Sequence, residues 1–205
     1  IDEGIYTFSY NSGNNTKFSI ELLDIEDLAK SNYTIEMKIK YEDGDEEMPF
    51  GMVLNSNNDA DDFYLFSISD NGFFRIQSYY NDEYHDQKAW TKSDAVKEGD
   101  WNILRVERIN YIARYYINGV NVFNDEYFIP NGYWCGFFLT TEGQEIEADY
   151  LKFWESKQTI DLIDNPLVDV EKVVLTELNS ASDELSPRIA PDGKTIFFTR
   201  DDHPE

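Results

Sequence analysis

The sequence predicts an all-β fold, a sandwich or barrel of about ten antiparallel strands. Polar and apolar residues alternate with a period of two, most clearly in residues 33–41 (YTIEMKIKY). There the odd-numbered residues are Tyr, Ile or Met, and the even-numbered ones are Thr, Glu or Lys. Residues that favour turns separate such runs, and no helices alternate with them. Two sheets with large hydrophobes on their inner faces can therefore bury one another.

The predicted strands are short, and turn signals lie between them. In chain order they are GIYTFSY, TKFSIELL, YTIEMKIKY, PFGMVLNS, FYLFSI, GFFRIQSYY, WNILRVERI, IARYYI, YWCGFFLTT and EIEADYLKFWE. The dipeptides Asn71-Gly72 and Asn118-Gly119 are the strongest hairpin signals, because Asn and Gly adopt the positive φ angles of tight turns. Only residues 25–31 (IEDLAKS) have a helical pattern.

The composition limits the classes of partner. The formal net charge of −24 argues against binding to nucleic acid or to an anionic membrane surface, and it is compatible with divalent cations. Cys135 is the only cysteine, so no internal disulfide forms, and its apolar neighbours indicate a core position. No segment is long and apolar enough to span a membrane. The chain starts at Ile1 without Met, which is compatible with a trimmed, exported protein.

Two segments carry a resemblance to a known superfamily. Residues 95–123 (AVKEGDWNILRVERINYIARYYINGVNVF) combine a Gly-x-Trp-Asn step, a strand, and a second strand ending in Asn-Gly. Residues 132–155 (GYWCGFFLTTEGQEIEADYLKFWE) carry Asp149 before a last apolar pair. Both resemble the concanavalin A-like lectin/glucanase superfamily, in its laminin-G-like and hydrolase-associated branches. The resemblance implies a two-sheet antiparallel jelly-roll sandwich, which we place at residues 1–157.

The composition changes after Trp154. We expect residues 158–175 to form a linker and residues 176–205 a fragment of a β-propeller. Residues 184–205 (ELSPRIAPDGKTIFFTRDDHPE) resemble a TolB-type propeller repeat, with Ala190 in place of the usual Ser. The resemblance extends to cell-envelope proteins of the Bacteroidetes type. It implies the rest of a propeller in a longer protein, and a location in the periplasm, at the outer membrane or on the cell surface.

Catalytic carboxylates are expected at fixed spacing in this superfamily. Its glycoside hydrolases carry Glu-x-Asp-x-Glu or Glu-x-Asp-x-x-Glu on one strand, and this sequence contains neither pattern. Glu145, Glu147 and Asp149 have the spacing of one strand face, and continued alternation adds Leu151 and Phe153 to it. A strand end that turns into the core explains this run, so we predict no catalytic residues and no enzyme.

Calcium is the cofactor that the acidic loops suggest. Residues 42–47 and 57–62 each offer several oxygen ligands, although neither has the EF-hand spacing. The laminin-G-like resemblance implies a calcium ion at a loop edge, which favours the second loop, with Asp59, Asp61 and Asp62 as ligands. A solvated acidic turn is the alternative for both loops.

Residues 76–90 (IQSYYNDEYHDQKAW) are the densest mixture of aromatic and hydrogen-bonding residues in the chain. Sugar binding uses aromatic faces together with amide or carboxylate groups. The candidate ligand-binding residues are Tyr79, Tyr80, Tyr84, Gln87 and Trp90. Alternatively, Trp90 and one of the tyrosines belong to the core and the rest is a solvated hairpin.

These features together predict a non-catalytic recognition or assembly module of an exported bacterial envelope protein. Its partner is either a glycan or an outer-membrane protein complex, and the sequence leaves both open. The alternative function is that of a glycoside hydrolase from the glucanase-like branch.

Overall fold

The computed structural model describes residues 4–13, 16–23, 31–57, 59, 62–126, 128–130, 132–155, 184–189 and 196–200. The chain divides into two compact units, Ile1–Gln158 and Thr159–Glu205. Residues 24–30, which include most of the predicted helix, lie outside the described residues. Within those ranges, no helix has the length and apolar character needed to cross a bilayer.

The first unit contains twelve described strands, two more than the sequence pattern predicted. They are β1 (Tyr6–Ser9), β2 (Lys17–Leu22), β3 (Tyr33–Asp43), β4 (Phe50–Ser56), β5 (Phe63–Ser69), β6 (Phe73–Tyr80), β7 (Glu83–Lys92), β8 (Asn102–Ile109), β9 (Ile112–Ile117), β10 (Val120–Asp125), β11 (Trp134–Leu139) and β12 (Glu145–Glu155).

These strands form two six-stranded sheets with antiparallel pairing throughout. Sheet I has the order β1-β12-β3-β8-β9-β10, and sheet II has the order β2-β11-β4-β5-β6-β7. The predicted all-β, two-sheet antiparallel sandwich is confirmed, and its topology is consistent with a jelly roll.

Sheet I follows the alternation predicted from the sequence. On β3 the side chains of Ile35, Met37 and Ile39 are completely buried, whereas those between them are partly exposed. β8 alternates in the same way, with Leu104 and Val106 in the core. One face of sheet I therefore packs against sheet II, and the other is polar.

Sheet II is buried on both faces of its central strands. Every residue of β4 is buried, and so is every residue of β5 except Tyr64. Because neighbouring residues of a strand point to opposite faces, Met52 and Phe66 enter the core between the sheets while Val53 and Leu65 lie on the outer face. The outer face thus carries a second apolar cluster, formed by Val53, Phe63, Leu65 and Phe138 with Phe18, Ile20 and Tyr79 packed against it.

Strand β12 contains a β-bulge at Asp149, and the bulge changes which residues share a face of the strand. The register to β3 shifts between Ala148 and Tyr150, so Asp149 has no direct partner and the alternation changes phase there. Leu151 and Phe153 consequently pack against the core, on the face opposite to Glu147. The expectation that they share a face with the carboxylates was wrong, because sequence spacing cannot show the extra residue.

The Asn residues of the superfamily-like segment hold a loop in place. Asn118 donates to the Ala95 carbonyl at 2.8 Å and accepts from the Ile103 amide at 2.9 Å. Asn102 bonds both the amide and the carbonyl of Lys97, each at 2.9 Å. These side chains fix the loop before β8 to the β9–β10 turn, so the segment has a structural role.

The second unit contains the strands β13 (Glu184–Ile189) and β14 (Ile196–Arg200), which pair antiparallel. The turn between them and residues 156–183 lie outside the described residues. A propeller fragment at residues 176–205 and the linker at residues 158–175 stay predictions.

Candidate functional site

The hairpin β6–β7 divides the predicted ligand-binding residues between its two faces. Tyr79 and Tyr80 are neighbours on one strand, so their rings point to opposite sides of sheet II. Tyr84 is paired with Tyr79 across the hairpin, and His85 with Ser78. The five predicted residues therefore do not form one site.

The outer face of the hairpin carries rings that pack on each other. The Tyr79 ring lies 4.9 Å from that of Phe63 and 4.7 Å from that of Tyr84. Farther along, Arg75 donates to Asp86 at 2.7 Å, and its guanidinium lies 6.0 Å from the Trp90 ring. The indole is 37% exposed, so the alternative that placed Trp90 in the core was wrong. None of these rings lines the cavity described below, so this face is an aromatic surface outside it.

The opposite face of the hairpin carries Tyr80 and Gln87. The Tyr80 ring stacks on the His85 imidazole at 4.0 Å, and 41% of the tyrosine is exposed. Gln87 donates to the Ser78 hydroxyl at 2.9 Å. In the described part of the chain, the buried atoms Nε2 of His85 and Oε1 of Gln87 have no hydrogen-bond partner. Tyr80 and Ser78, which these two side chains contact, line a cavity.

This cavity, the polar pocket, has a volume of about 560 Å³. It lies between the end of hairpin β6–β7, the β4–β5 connection and the segment after β10. Its lining residues are Asn57, Asp62, Tyr64, Ser78, Tyr80, Asn81, Asp82 and Ile129. The tyrosine ring of Tyr80 thus shares one cavity with hydroxyl, amide and carboxylate groups from three segments of the chain.

A two-residue turn presents Asn81 and Asp82 to the polar pocket. Their φ angles are +52° and +61°, the left-handed conformation that both positions of a type I′ hairpin turn require. Asn and Asp tolerate this conformation better than most residues because their short polar side chains bond locally. The sequence Tyr80-Asn81-Asp82-Glu83 therefore encodes both the turn and the polar rim.

Asn55 fixes one wall of the polar pocket, the segment after β10 that contributes Ile129. This completely buried residue has a φ of +51°, accepts a hydrogen bond from the Tyr33 hydroxyl at 2.8 Å and donates to the Gly132 carbonyl at 3.1 Å. The Tyr64 hydroxyl in turn donates to the Ile129 carbonyl at 3.2 Å, and burial raises the pKa of Tyr64. The segment after β10 is thereby fixed against β4 and β5.

The structure describes two of the three predicted calcium ligands. Asp62 lines the polar pocket, Asp59 lies in an exposed turn, and Asp61 lies outside the described residues. No group of three His, Cys, Asp or Glu side chains suited to a metal occurs in the described ranges. Calcium at this loop stays a prediction.

The carboxylates considered for catalysis lie on sheet I, away from the polar pocket. The Ser9 hydroxyl donates to Glu145 at 2.5 Å, and Lys38 pairs with Asp149 at 2.7 Å. Neither carboxylate lines the polar pocket, whose acidic residues are Asp62 and Asp82.

Sequence reasoning missed three residues of the polar pocket: Tyr64, Ser78 and Ile129. Tyr64 and Ser78 are directly paired across β5 and β6, in runs whose pattern indicates ordinary strands. Ile129 comes from a connection that has no binding motif. Strand pairing places Tyr64 beside Ser78, and the hydrogen bond from the Tyr64 hydroxyl holds the Ile129 carbonyl at the same cavity.

Comparisons with known proteins support the fold. Residues 6–140 match the family described as the concanavalin A-like lectin/glucanases superfamily. The carbohydrate-binding module CBM66 from Bacillus subtilis has a similar structure, with 15% identity and a TM-score of 0.53, over 75% of this chain and 96% of that one. The likeness shows a common fold, and the predicted superfamily resemblance is confirmed.

Two further solved structures are more distant. Galectin-11 from sheep, in complex with glycerol, is 12% identical with a TM-score of 0.45, over 65% of this chain and 99% of that one. The GH43 protein BlXynB from Bacillus licheniformis is 9% identical with a TM-score of 0.47, over 66% of this chain and 32% of that one. A search of curated proteins finds no match to this chain.

Proposed function

We infer the function from one premise: the chain belongs to the concanavalin A-like lectin/glucanases superfamily. We propose that its first unit is a non-catalytic carbohydrate-binding module whose site is the polar pocket. A saccharide ring stacks on the exposed part of Tyr80, while its hydroxyl groups bond the amides and carboxylates of the rim.

The observation that carries this proposal is the composition of the polar pocket. Sugar rings have apolar faces and polar edges, so a site that holds them combines an aromatic surface with several hydrogen-bonding groups. Tyr80 provides the aromatic surface, and Asn57, Ser78 and Asn81 provide neutral hydrogen-bonding groups around the same cavity. The His85 imidazole stacks on one face of the Tyr80 ring, and this contact holds the phenol in one orientation.

The fold is compatible with this function. CBM66, which shares it, is named as a carbohydrate-binding module. The hydrolase alternative requires the strand-borne carboxylate motif of the superfamily's glycosidases, and the sequence does not contain it. We therefore propose binding without bond cleavage.

The test is calorimetry of the full chain with a panel of oligosaccharides. We expect one class to bind and Tyr80→Ala to weaken that binding by about tenfold or more, since stacking and its desolvation are lost. Trp90→Ala is the matched control, because it removes an exposed aromatic ring from the opposite face of the same hairpin. Its affinity should stay within about twofold of the wild-type value.

Two results would contradict the proposal in different ways. Loss of binding in Trp90→Ala or Tyr84→Ala with normal binding in Tyr80→Ala would move the site to the outer aromatic surface. Cleavage of a bound oligosaccharide, seen as new reducing ends, would show an enzyme and support the hydrolase alternative.

We further propose that the module acts outside the cytoplasm, in the periplasm or at the outer membrane, joined to the rest of a propeller. The resemblance of residues 184–205 to TolB-type repeats supports this context. An outer-membrane protein complex is the alternative partner. It is favoured if the chain retains a stoichiometric membrane protein from a detergent extract and shows no response to any glycan.

A further inference from the structure

The charge of the polar pocket determines which saccharides it can accept. Two of its eight lining residues, Asp62 and Asp82, carry carboxylates. None of the described residues that line it is Lys or Arg. The pocket therefore presents a negative field, within a chain whose formal net charge is already −24.

A negative field affects charged and uncharged saccharides differently. A uronate or sulfate entering the polar pocket meets like charges at short range, and a partly enclosed cavity screens them less than bulk water does. A sugar hydroxyl meets the same carboxylates as hydrogen-bond acceptors, and such charge-assisted bonds are stronger than neutral ones. The amides of Asn57 and Asn81 add neutral donors and acceptors.

We propose that the polar pocket selects uncharged saccharides and rejects uronate- or sulfate-bearing ones, with Asp62 and Asp82 as the residues that determine this specificity. The inference rests on the proposed carbohydrate-binding function and adds the class of ligand. Specificity of this kind comes from a repulsive element directed against the wrong ligand as well as from attraction to the right one.

The experiment compares matched ligands that differ only in charge. Cello-, manno- and galacto-oligosaccharides, and the same oligosaccharides oxidised to uronates at C6, are titrated into the full chain at about 20 mM and about 500 mM NaCl. We expect the neutral ligand that binds to be preferred over its uronate by about tenfold or more at low salt. The preference should shrink at high salt, because ions screen the carboxylates.

Variants assign the selectivity to named residues. The double variant Asp62→Asn with Asp82→Asn keeps the size of both side chains, and Asn also tolerates the positive φ of position 82. It should weaken binding of the neutral ligand, because two charge-assisted bonds become neutral ones, and it should relieve the repulsion of the uronate, so that most of the preference is lost. The control double variant Asp94→Asn with Glu142→Gln removes two exposed carboxylates outside the polar pocket and should keep the preference.

The outcomes separate this inference from the function on which it rests. If uronates bind as tightly as neutral oligosaccharides, the selectivity is wrong and carbohydrate binding stands. If the folded double variant at positions 62 and 82 keeps the full preference, or the control loses it, these carboxylates are not its source. If no oligosaccharide binds in any form, the proposed function itself fails.

Discussion

The two sheets of the first unit differ in how many of their faces are buried. Sheet I has one apolar and one polar face, and its polar face pairs Lys38 with Asp149 and Arg105 with Glu107. Sheet II has apolar residues on both faces, and its outer cluster buries Phe63 and Val53 to 3% and 1% exposure. A sheet that is sealed on both sides offers a ligand only its edges and ends, and the polar pocket lies at an end of sheet II.

This difference explains why aromatic content alone does not identify the site. Tyr79 and Tyr84 belong to rings that pack on Phe63 and extend the outer cluster. Tyr80, one residue away, faces a cavity lined with polar groups. The same hairpin therefore uses one face for stability and, in our proposal, the other for recognition.

The largest test of this contrast is Phe63→Ala. If the outer cluster of sheet II is a second core, removing this buried ring should lower the free energy of unfolding by about 3–5 kcal/mol. Tyr116→Ala is the comparison on the polar face of sheet I, where the ring lies 4.5 Å from the Arg105 guanidinium. It should cost about 1 kcal/mol, as expected for a partly exposed contact. Urea denaturation measures both, and equal losses would remove the distinction between the sheets.

A smaller effect is expected from Asn55→Ala, which tests the wall of the polar pocket. The substitution leaves the Tyr33 hydroxyl and the Gly132 carbonyl without their partner inside the protein, which should cost about 1–3 kcal/mol. Asn55→Gly also loses these bonds but accepts the φ of +51°, so it separates the hydrogen bonds from backbone strain. A stability close to wild type for both variants would show that Asn55 does not hold this wall.

The smallest effect concerns the sealed core face of sheet II at alkaline pH. Burial raises the pKa of Cys135 from 9.0 to about 12, so the unfolded chain ionises first. The stability supplied by the neutral thiol is complete below pH 9 and is lost as the pH rises towards 12. At pH 10, one pH unit above its ordinary pKa, the loss from this thiol should be about 1 kcal/mol.

The variant Cys135→Ala checks the assignment of this pH dependence. Between pH 8 and pH 10, its free energy of unfolding should fall less than that of the wild type, by about 1 kcal/mol. Burial shifts the pKa of Tyr33 and Tyr115 upward as well, so part of the alkaline destabilisation should remain. Identical slopes for the two proteins would mean that the thiol ionises equally in the folded and unfolded chains.

Much of the fold could be predicted, because local patterns carry it. The alternation on β3 and β8 matches the buried positions, and the Asn118-Gly119 hairpin forms where the dipeptide occurs. Cys135 lies in the core, as its apolar neighbours indicated. The double burial of β4 and β5 was not predicted, since a continuous apolar run does not say what covers each face.

The site was predicted only in part, for a geometric reason. The segment 76–90 does contain Tyr80, Asn81 and Asp82, yet sequence proximity grouped them with Tyr84 and Trp90, which lie on the other face. Asp62, considered as a calcium ligand, lines the same cavity because β5, which begins at the next residue, pairs with β6. The bulge at Asp149 likewise reversed the face that spacing assigned to Leu151.

The sequence by itself determined the class of fold, the turns and the acidic character, because each depends on residues close together in the chain. The tertiary structure decided that sheet II is buried on both faces and which side chains meet around the polar pocket. Those features depend on the register between strands, where one added or unpaired residue moves a side chain from one face to the other.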